Sequence, residues 1–346
     1  MSQTSAPVVS PANEQDVPEF GTMRQVAEGI HWVRIPLNSR AGSVNAWVLD
    51  EGETWTLLDC GSDVEQAHTA WAQLLDGPLA AKPVGRIMLT HGHHDHIGMA
   101  GPLAARYGLT IYCSRTEWQT AILRAQEVPI WGTDEPERFL ASHGCSAEQI
   151  VAYRRGVMAG GRQVSKLPPG FFRLKGGEEV EAAGRRWRLI TGGGHSPECI
   201  LFYAQAEKLI ISGDQVLPLT TPSITTDWTE PLADHMGEHF DFLEQMQAIP
   251  DDVTALPGHG PVHQGMAERA RKIAEHHESR LSRFEDWAAE PMTALEFAAR
   301  LFPKAMAGEA GRLGFAVSLS HANHLALHGR LVRNVGEDGV IRFVRP

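Results

Sequence analysis

The stretch THGHHDH at residues 90–96 constrains the fold more than any other part of the chain. It follows the short apolar segment VGRIML and precedes GMAGPLAARYG, which has helical spacing, so we expect a strand, a loop and a helix in that order. In extended backbone His91 and His93 project to the same side, while Asp95 and His96 lie just past the bend. The stretch therefore predicts two adjacent metal positions at the end of a buried strand.

Three later segments supply further ligand candidates, each at the end of a predicted strand. They are ITGGGHSPE with His195, IISGDQV with Asp214 and LPGHGPV with His259, and glycines beside each candidate let the backbone approach a metal ion. With the first stretch they give five histidines and two aspartates, enough for two ions if one carboxylate bridges them. These donors suit Zn²⁺, and Fe or Mn accepts them too. The alternative, a solvated histidine-rich loop, does not account for the later segments.

The order of predicted elements indicates an α/β protein in which two β-sheets pack face to face with helices outside. GIHWVRIPL, SVNAWVLD and TWTLLDCG are predicted to be successive strands of a mainly antiparallel sheet. Strands resume in RRWRLI, CILFYAQ and KLIISGD, and a helix is expected over residues 233–247. Between the two strand groups, residues 126–170 mix Pro, Gly and charge, which predicts a helical insertion or lid.

A change of pattern at Gly265 predicts a small second domain over residues 265–346, after a first domain over residues 20–264. The segment GMAERARKIAEHHESRLSRFEDW has apolar residues at spacings of three and four, which predicts a long amphipathic helix. Further helices are expected in MTALEFAARLF and FAVSLSHANHLALHGRLVRNV, followed by a turn at GEDG and a strand VIRFV. This arrangement is helical and winged-helix-like. Residues 1–19 are predicted to be a disordered tail.

The ligand pattern resembles that of the metallo-β-lactamase superfamily, whose H-x-H-x-D-H motif and later His, Asp and His appear here in order. The resemblance covers roughly residues 20 to 263 and implies the αββα sandwich of that family. The metal ligands that it implies are His91, His93 and His195 for one ion, Asp95, His96 and His259 for a second, and Asp214 as the bridge. Asp59 in LLDCG matches a strand-end acid that orients the first metal loop in that family, with a cap or turn role as the alternative.

The same resemblance implies a dinuclear hydrolase in which a metal-bridging hydroxide attacks an electrophilic carbon or phosphorus. Asp95 or a metal-bound water could pass a proton to the leaving group, but a thiolate leaves readily without much help, so a thioester suits a site with no obvious strong general acid. The PGHG segment and the tail look like the hydroxyacylglutathione hydrolase and β-lactamase-like branch. The expected substrate is therefore a thioester of CoA or glutathione type, or a related ester or lactone. Some members with a winged-helix C-terminus are endoribonucleases, which leaves a metal-dependent endoribonuclease or phosphodiesterase as the alternative.

Charge favours the small-molecule acyl substrate over nucleic acid. The chain has a formal charge of -11 and a pI near 5.8. Residues 290–346 contain seven basic and five acidic side chains, which is far from a dense basic surface. A DNA-binding regulatory module, a third class, would not need a full hydrolytic ligand set. Trp131 and Trp228 are candidates for the substrate cleft, although plain packing is the commoner role of an aromatic side chain.

The remaining features bear on location and assembly. The first residues lack a basic segment followed by an apolar one, and no later segment reaches the ~18 apolar residues of a bilayer span, so we expect a cytoplasmic protein without a membrane partner. The four cysteines lie far apart without a C-x-x-C pair, which fits reduced thiols. The C-terminal segment is expected to pack on the catalytic domain and to shape the cleft or support a homodimer there.

Overall fold

Two β-sheets form the centre of the structure. The computed structural model describes residues 17–39, 41–125, 133–306 and 311–346. In that part of the chain the first sheet has seven strands in chain order: β1 (Arg24–Ala27), β2 (Ile30–Pro36), β3 (Ser43–Asp50), β4 (Trp55–Leu58), β5 (Val84–Met88), β6 (Ile111–Cys113) and β7 (Phe171–Arg173). Strands β1 to β4 pair antiparallel, and β4 to β7 pair parallel.

The second sheet has five strands among the described residues. They are β8 (Glu179–Ala182), β9 (Arg185–Gly192), β10 (Cys199–Ala204), β11 (Leu209–Gly213) and β12 (Thr254–Pro257), and their spatial order is the reverse of their chain order. The pairs are antiparallel except β11 with β12, which run parallel. Parallel pairing brings the carboxyl ends of β11 and β12 side by side at one edge of the sheet.

The sequence of β3 explains why this strand lies between two packed layers. Every side chain in SVNAWVLD except Asp50 is buried. Trp47 and Leu49 pack between the two sheets, whereas Val44 and Val48 pack on the opposite face. Successive side chains of a strand point to opposite faces, so a strand that is covered on both sides is apolar nearly throughout.

Helices cover the outer faces of both sheets. The helices of the described residues are α1 (Glu65–Asp76), α2 (His94–Ile97), α3 (Ala100–Tyr107), α4 (Arg115–Ala125), α5 (Glu135–Ser142), α6 (Ala147–Gly161), α7 (His235–Met246), α8 (Met266–Trp287), α9 (Ala294–Leu301), α10 (Pro303–Met306) and α11 (Gly311–Leu327). Trp71 of α1, Leu103 of α3 and Trp118 of α4 pack on the first sheet. Phe242 of α7 and Ile273 of α8 pack on the second. The expected αββα sandwich is confirmed.

A third hydrophobic cluster joins the C-terminal helices to the predicted insertion. It contains Phe284 of α8 and Phe297 of α9, whose rings stack with centroids 4.4 Å apart. Leu140 of α5 and Tyr153 of α6 belong to the same cluster. Within residues 126–170, the described part contains α5 and α6, which pack against the C-terminal helices.

Helix α8 is shared by two hydrophobic clusters. Met266 and Ile273 in its first part pack with the second sheet, whereas Leu281 and Phe284 in its last part lie in the C-terminal cluster. The predicted domain boundary at residue 265 thus falls at the start of a helix that both halves of the molecule use.

Two sequence predictions differ from the structure. The helix predicted through Val335 ends at Leu327, because Gly329 adopts a left-handed φ of 70° and the chain turns back. The following residues form strand β13 (Val332–Val335), which pairs antiparallel with β14 (Ile341–Val344). In addition, the second half of the histidine-rich stretch is helical rather than a loop, since the Ile97 amide donates to the His93 carbonyl at 3.0 Å.

Smaller sequence predictions concern the tail, the membrane and the cysteines. Residues 1–16 of the predicted tail lie outside the described residues. Within the described ranges, no helix combines the length and apolar character that crossing a bilayer requires. The cysteines are free, and burial raises the pKa of Cys60, Cys113 and Cys199 well above its ordinary value.

Candidate metal centre

All seven predicted ligands converge where four strands end. His91 follows β5, His195 follows β9, Asp214 follows β11 and His259 follows β12, while Asp95 and His96 lie on the short helix α2. Backbone hydrogen bonds join these strand ends directly. The Gly258 amide donates to the Gly213 carbonyl at 2.8 Å, and the Ile200 amide donates to the Thr90 carbonyl at 2.8 Å. The ligands therefore stand on the rigid edges of the two sheets.

The first group of ligands contains three histidines. His93 Nδ1 lies 3.0 Å from His91 Nε2 and 3.0 Å from His195 Nε2. His91 is fully buried, and the other two rings are partly exposed. Three imidazole nitrogens directed at one point form the kind of face that a transition-metal ion occupies.

The second group combines carboxylates with imidazoles. It consists of Asp95, His96, Asp214 and His259, whose ligand atoms lie within 4.8 Å of one another. His259 Nε2 is 3.1 Å from Asp95 Oδ2 and 3.4 Å from Asp214 Oδ2. His96 Nε2 is 3.4 Å from Asp214 Oδ1.

Asp214 lies between the two groups. Its Oδ2 atom is 3.7 Å from His195 Nε2 in the first group and 3.4 Å from His259 Nε2 in the second. One carboxylate therefore faces both groups, which is the placement that a bridging ligand requires.

Two buried atoms of the second group show that the donor set fits a cation. His96 Nε2 and Asp214 Oδ1 are buried without a hydrogen-bond partner among the described residues, although they lie 3.4 Å apart. Unsatisfied buried polar atoms are costly, and a metal ion between them would satisfy both. The residues present thus fit a bound metal ion.

Asp59 orients the second group from behind. Its Oδ2 atom accepts a hydrogen bond from His96 Nδ1 at 2.8 Å, and its carboxylate also accepts from the Thr90 amide and hydroxyl at 2.8 and 2.7 Å. Because Nδ1 of His96 donates, Nε2 keeps its lone pair for a metal. Asp59 itself adopts a positive φ of 64°, a conformation that few residues other than glycine, Asn and Asp take.

Backbone carbonyls fix two further imidazoles. His195 Nδ1 lies 3.1 Å from the Ser223 carbonyl, and His259 Nδ1 lies 2.9 Å from the Ser43 carbonyl. A carbonyl only accepts, so Nδ1 must carry the proton in both rings. In the neutral form of each ring Nε2 then carries a lone pair that faces the centre and can bind a metal ion.

Burial and neighbouring charges shift the pKa values of the ligands. Burial, helped by the charge of His96, holds the pKa of His91 well below its ordinary value. Burial would raise the pKa of Asp214, but His259 and His96 outweigh it and hold that pKa well below its ordinary value. In His259 the effect of burial is outweighed by Asp214, and the pKa rises to about 10. A neutral His91 and an ionised Asp214 are the forms that bind metal.

Two buried polar side chains support the ligand loops and were not found from the sequence. Glu117 on α4 accepts from the Gly92 amide at 2.8 Å and from the Glu198 amide at 2.7 Å, so it ties the loops that carry His91 and His195. Gln215 donates from Nε2 to the Gly192 and Gly193 carbonyls at 2.8 and 3.0 Å. Their partners are backbone groups far away in sequence, which no residue spacing reveals.

At Gly258 the backbone lies too close to the ligands for a side chain to fit. A Cβ atom at this position would lie 2.1 Å from Asp214 Oδ1 and 2.7 Å from His96 Cε1. The backbone therefore approaches the ligands more closely than a larger residue would allow.

One further histidine of the THGHHDH stretch and the two tryptophans proposed for the substrate cleft lie apart from the ligands or outside the described residues. His94 belongs to neither ligand group, and its Nδ1 is 3.0 Å from Ser62 Oγ. Trp228 packs against the C-terminal cluster, with its ring edge-on to Tyr153 at a centroid distance of 5.8 Å. Trp131 lies outside the described residues. Substrate contacts of Trp131 and Trp228 stay predictions.

Comparison with protein-family models divides the chain into two matched parts. Residues 39–259 match the metallo-beta-lactamase superfamily, and residues 281–346 match the metallo-beta-lactamase-like C-terminal domain. The likeness to a solved structure extends over nearly the whole chain. The beta-lactamase domain protein from Burkholderia ambifaria is 30% identical, with a TM-score of 0.89 over 97% of this chain and 98% of that chain.

Two curated proteins are more distant relatives. Exodeoxyribonuclease WalJ of Streptococcus pneumoniae is 24% identical over 128 residues, which are 33% of this chain and 46% of that protein. The hydroxyacylglutathione hydrolase GloC of Haemophilus influenzae is 26% identical over 174 residues, which are 50% of this chain and 68% of that protein. The chain thus spans less than half the length of the exodeoxyribonuclease that it matches.

Proposed function

Because the chain belongs to the metallo-β-lactamase superfamily and is a metal-dependent hydrolase, we propose that it binds two metal ions and hydrolyses a thioester of CoA or glutathione type, or a related ester or lactone. The observation that carries the two-ion proposal is the position of Asp214 between a three-histidine group and a mixed group. The donors favour Zn²⁺, and Fe or Mn would accept the same set.

Each residue of the centre has a defined part in this proposal. His91, His93 and His195 would hold the first ion, Asp95, His96 and His259 would hold the second, and Asp214, which faces both groups, would serve as the shared ligand. The bound ions would lower the pKa of a water molecule towards neutrality and stabilise the negative charge that develops on the substrate. Asp59 keeps His96 in the tautomer that binds metal, and the Ser43 and Ser223 carbonyls do so for His259 and His195.

Asp95 is the residue we propose for proton transfer to the leaving group. Its Oδ2 atom lies 3.1 Å from His259 Nε2 at the partly exposed side of the second group. Since a carboxylate that also binds metal is a weak proton donor, a leaving group that departs as a stable anion suits this centre. A thiolate is such a group, which supports a thioester over an alkyl ester.

Similarity and charge support an acyl substrate. The likeness to hydroxyacylglutathione hydrolase GloC covers 68% of that protein, whereas the likeness to exodeoxyribonuclease WalJ covers 46%. The chain also has a formal charge of -11, which disfavours a polyanionic substrate.

The second candidate function is a metal-dependent phosphodiesterase that cuts nucleic acid. The similarity to exodeoxyribonuclease WalJ is the observation that favours it. Such an enzyme must hold phosphates with Lys and Arg, so its affinity would fall steeply as the salt concentration rises.

A substrate screen of the metal-reconstituted full chain separates the two functions. The substrates are a glutathione thioester, an acyl-CoA, a lactone, single-stranded RNA and single-stranded DNA, each at low and at moderate salt. We expect turnover of at least one acyl substrate at moderate salt, and its loss in His93→Ala. Cleavage of nucleic acid that His93→Ala abolishes, with no turnover of any acyl substrate, would reverse the order of the two candidates.

A further inference from the structure

A second set of metal-ligand side chains lies outside the catalytic centre. It consists of Asp234, His324 and His328, which we call the auxiliary triad. Asp234 is the N-cap residue of α7, His324 lies in the last turn of α11, and His328 follows that helix directly. The His328 amide still donates to the His324 carbonyl at 3.1 Å, so the two imidazoles lie on one helical face, four residues apart.

The three side chains of the auxiliary triad already face one another. His324 Nδ1 is 2.8 Å from Asp234 Oδ1, and His328 Nε2 is 2.8 Å from Asp234 Oδ2. The two imidazole rings have centroids 4.4 Å apart, and the three ligand atoms lie within 4.8 Å of one another. Little rearrangement is therefore needed to direct one oxygen and two nitrogens at a single ion.

The surroundings of the triad fix its geometry and leave it accessible. Asp234 Oδ1 accepts a hydrogen bond from the Gly237 amide at 2.9 Å, and the His324 ring packs beside Phe240. The exposed fraction of the side chain rises from 10% in His324 through 27% in Asp234 to 54% in His328. A cation can thus enter from the His328 side, and water can complete its coordination.

We propose that the auxiliary triad binds a divalent transition-metal ion such as Zn²⁺, independently of the catalytic centre. Two imidazoles and one carboxylate, with open positions for water, are a donor set that such ions prefer over Mg²⁺ or Ca²⁺. The two centres share no residue. The alternative for the triad is a hydrogen-bonded clamp between two histidines and an acid, without a metal.

An ion in the triad would join the C-terminal helix to the loop beside the catalytic centre. Two hydrogen bonds already link them: the Thr226 amide donates to the Ala316 carbonyl at 3.2 Å, and Asn323 Nδ2 donates to the Pro231 carbonyl at 2.9 Å. The same loop carries Ser223, whose carbonyl orients His195. The auxiliary ion would therefore be structural and would stabilise the loop that positions a catalytic ligand.

The test is a comparison of zinc content between the full-length wild type, His328→Ala and His68→Ala. His68 is the matched control because it forms a surface pair with Asp63 at 2.6 Å but has no second histidine. The three proteins are stripped with a chelator, brought to equilibrium with the same free Zn²⁺ by dialysis, and analysed for metal per chain. Because the result is a difference, it does not depend on how many ions the catalytic centre holds.

We expect His328→Ala to bind one Zn²⁺ per chain fewer than the wild type and His68→Ala to bind the same number as the wild type. We also expect added Zn²⁺ to raise the melting temperature of the wild type more than that of His328→Ala. Equal zinc content in wild type and His328→Ala would show that the triad is only a hydrogen-bonded clamp and would overturn the proposal. The proposal would also be overturned if His68→Ala lost as much zinc as His328→Ala. If His328→Ala does not fold, His328→Asn, which keeps a polar side chain, is measured by the same criterion.

Discussion

Asp214 is the residue on which the two-ion proposal depends. Its carboxylate faces both ligand groups, so Asp214→Ala should lower the metal content of both positions. His94→Ala is the control from the same histidine-rich stretch, since His94 belongs to neither group, and it should leave the metal content nearly unchanged. With both variants made in the His328→Ala background, which removes the auxiliary triad, elemental analysis of protein purified without chelator should give about two ions per chain for the His94 variant. Equal losses in the two variants would refute the ligand assignment.

At Asp59, the role in positioning His96 can be tested separately from the left-handed backbone conformation. Asn tolerates the left-handed backbone that Asp59 adopts, so Asp59→Asn keeps the turn but removes one carboxylate oxygen as acceptor. The Asn side chain has one acceptor oxygen, so it cannot accept both from the Thr90 amide, which binds Oδ1 of Asp59, and from His96, which binds Oδ2. We expect metal affinity to fall by roughly 10- to 100-fold with little change in melting temperature of the metal-free protein. A competition titration with a metal indicator measures this. If the metal affinity of Asp59→Asn were unchanged, Asp59 would act only as a turn residue.

The sequence predicts which side chains form the centre, but it does not predict the buried residues that hold the ligand loops in place. His91 and His93 are recognisable because their spacing of two, after a buried strand, is itself the geometric signal. Glu117 and Gln215 give no such signal, because they bind backbone groups of loops that only the folded chain brings near them. A buried acid that accepts from amides looks in the sequence like any acid in the first turn of a helix.

Among the secondary-structure elements, α9 gives the sharpest stability test. Phe297 is fully buried and stacks on Phe284 of α8, so Phe297→Ala should lower the free energy of unfolding by about 3–5 kcal/mol. Phe172 on β7 is the control, because it is 53% exposed and its replacement by Ala should cost roughly 1 kcal/mol or less. Denaturant unfolding followed by fluorescence compares the two. A similar cost for both would mean that the C-terminal cluster contributes little to stability.

The elements that the sequence does not predict are short or lie at sheet edges. β1, β6, β7 and β8 have three or four residues each, too few for an alternating pattern to stand out. The end of α11 was predicted eight residues too late, at Val335 instead of Leu327. Apolar side chains continue past Leu327 at spacings that also fit a helix, and only the turn at Gly329 and the pairing of β13 with β14 decide otherwise.

At the scale of the whole molecule, the C-terminal segment is expected to be part of one packed unit. Removal of residues 290–346 would take away α9, α11 and β14 and uncover Leu281, Phe284 and Tyr153. The truncated chain should therefore be less soluble than the full chain, which the soluble fraction after expression and light scattering would measure. A truncated enzyme that stays soluble and fully active on every substrate would instead show the segment to be an independent module.

Because the ligands of the catalytic centre come from four strand ends, they become available one after another during synthesis. The ribosome delivers His91, His93, Asp95 and His96 together, but His195 emerges only after the insertion and β9, and His259 only after β12, the last strand of the second sheet. Closing such distant segments is a slow step in folding. A nascent chain can thus bind a cation weakly through its first motif before the remaining ligands are in place. Tight metal capture would mark the moment at which both sheets have been completed.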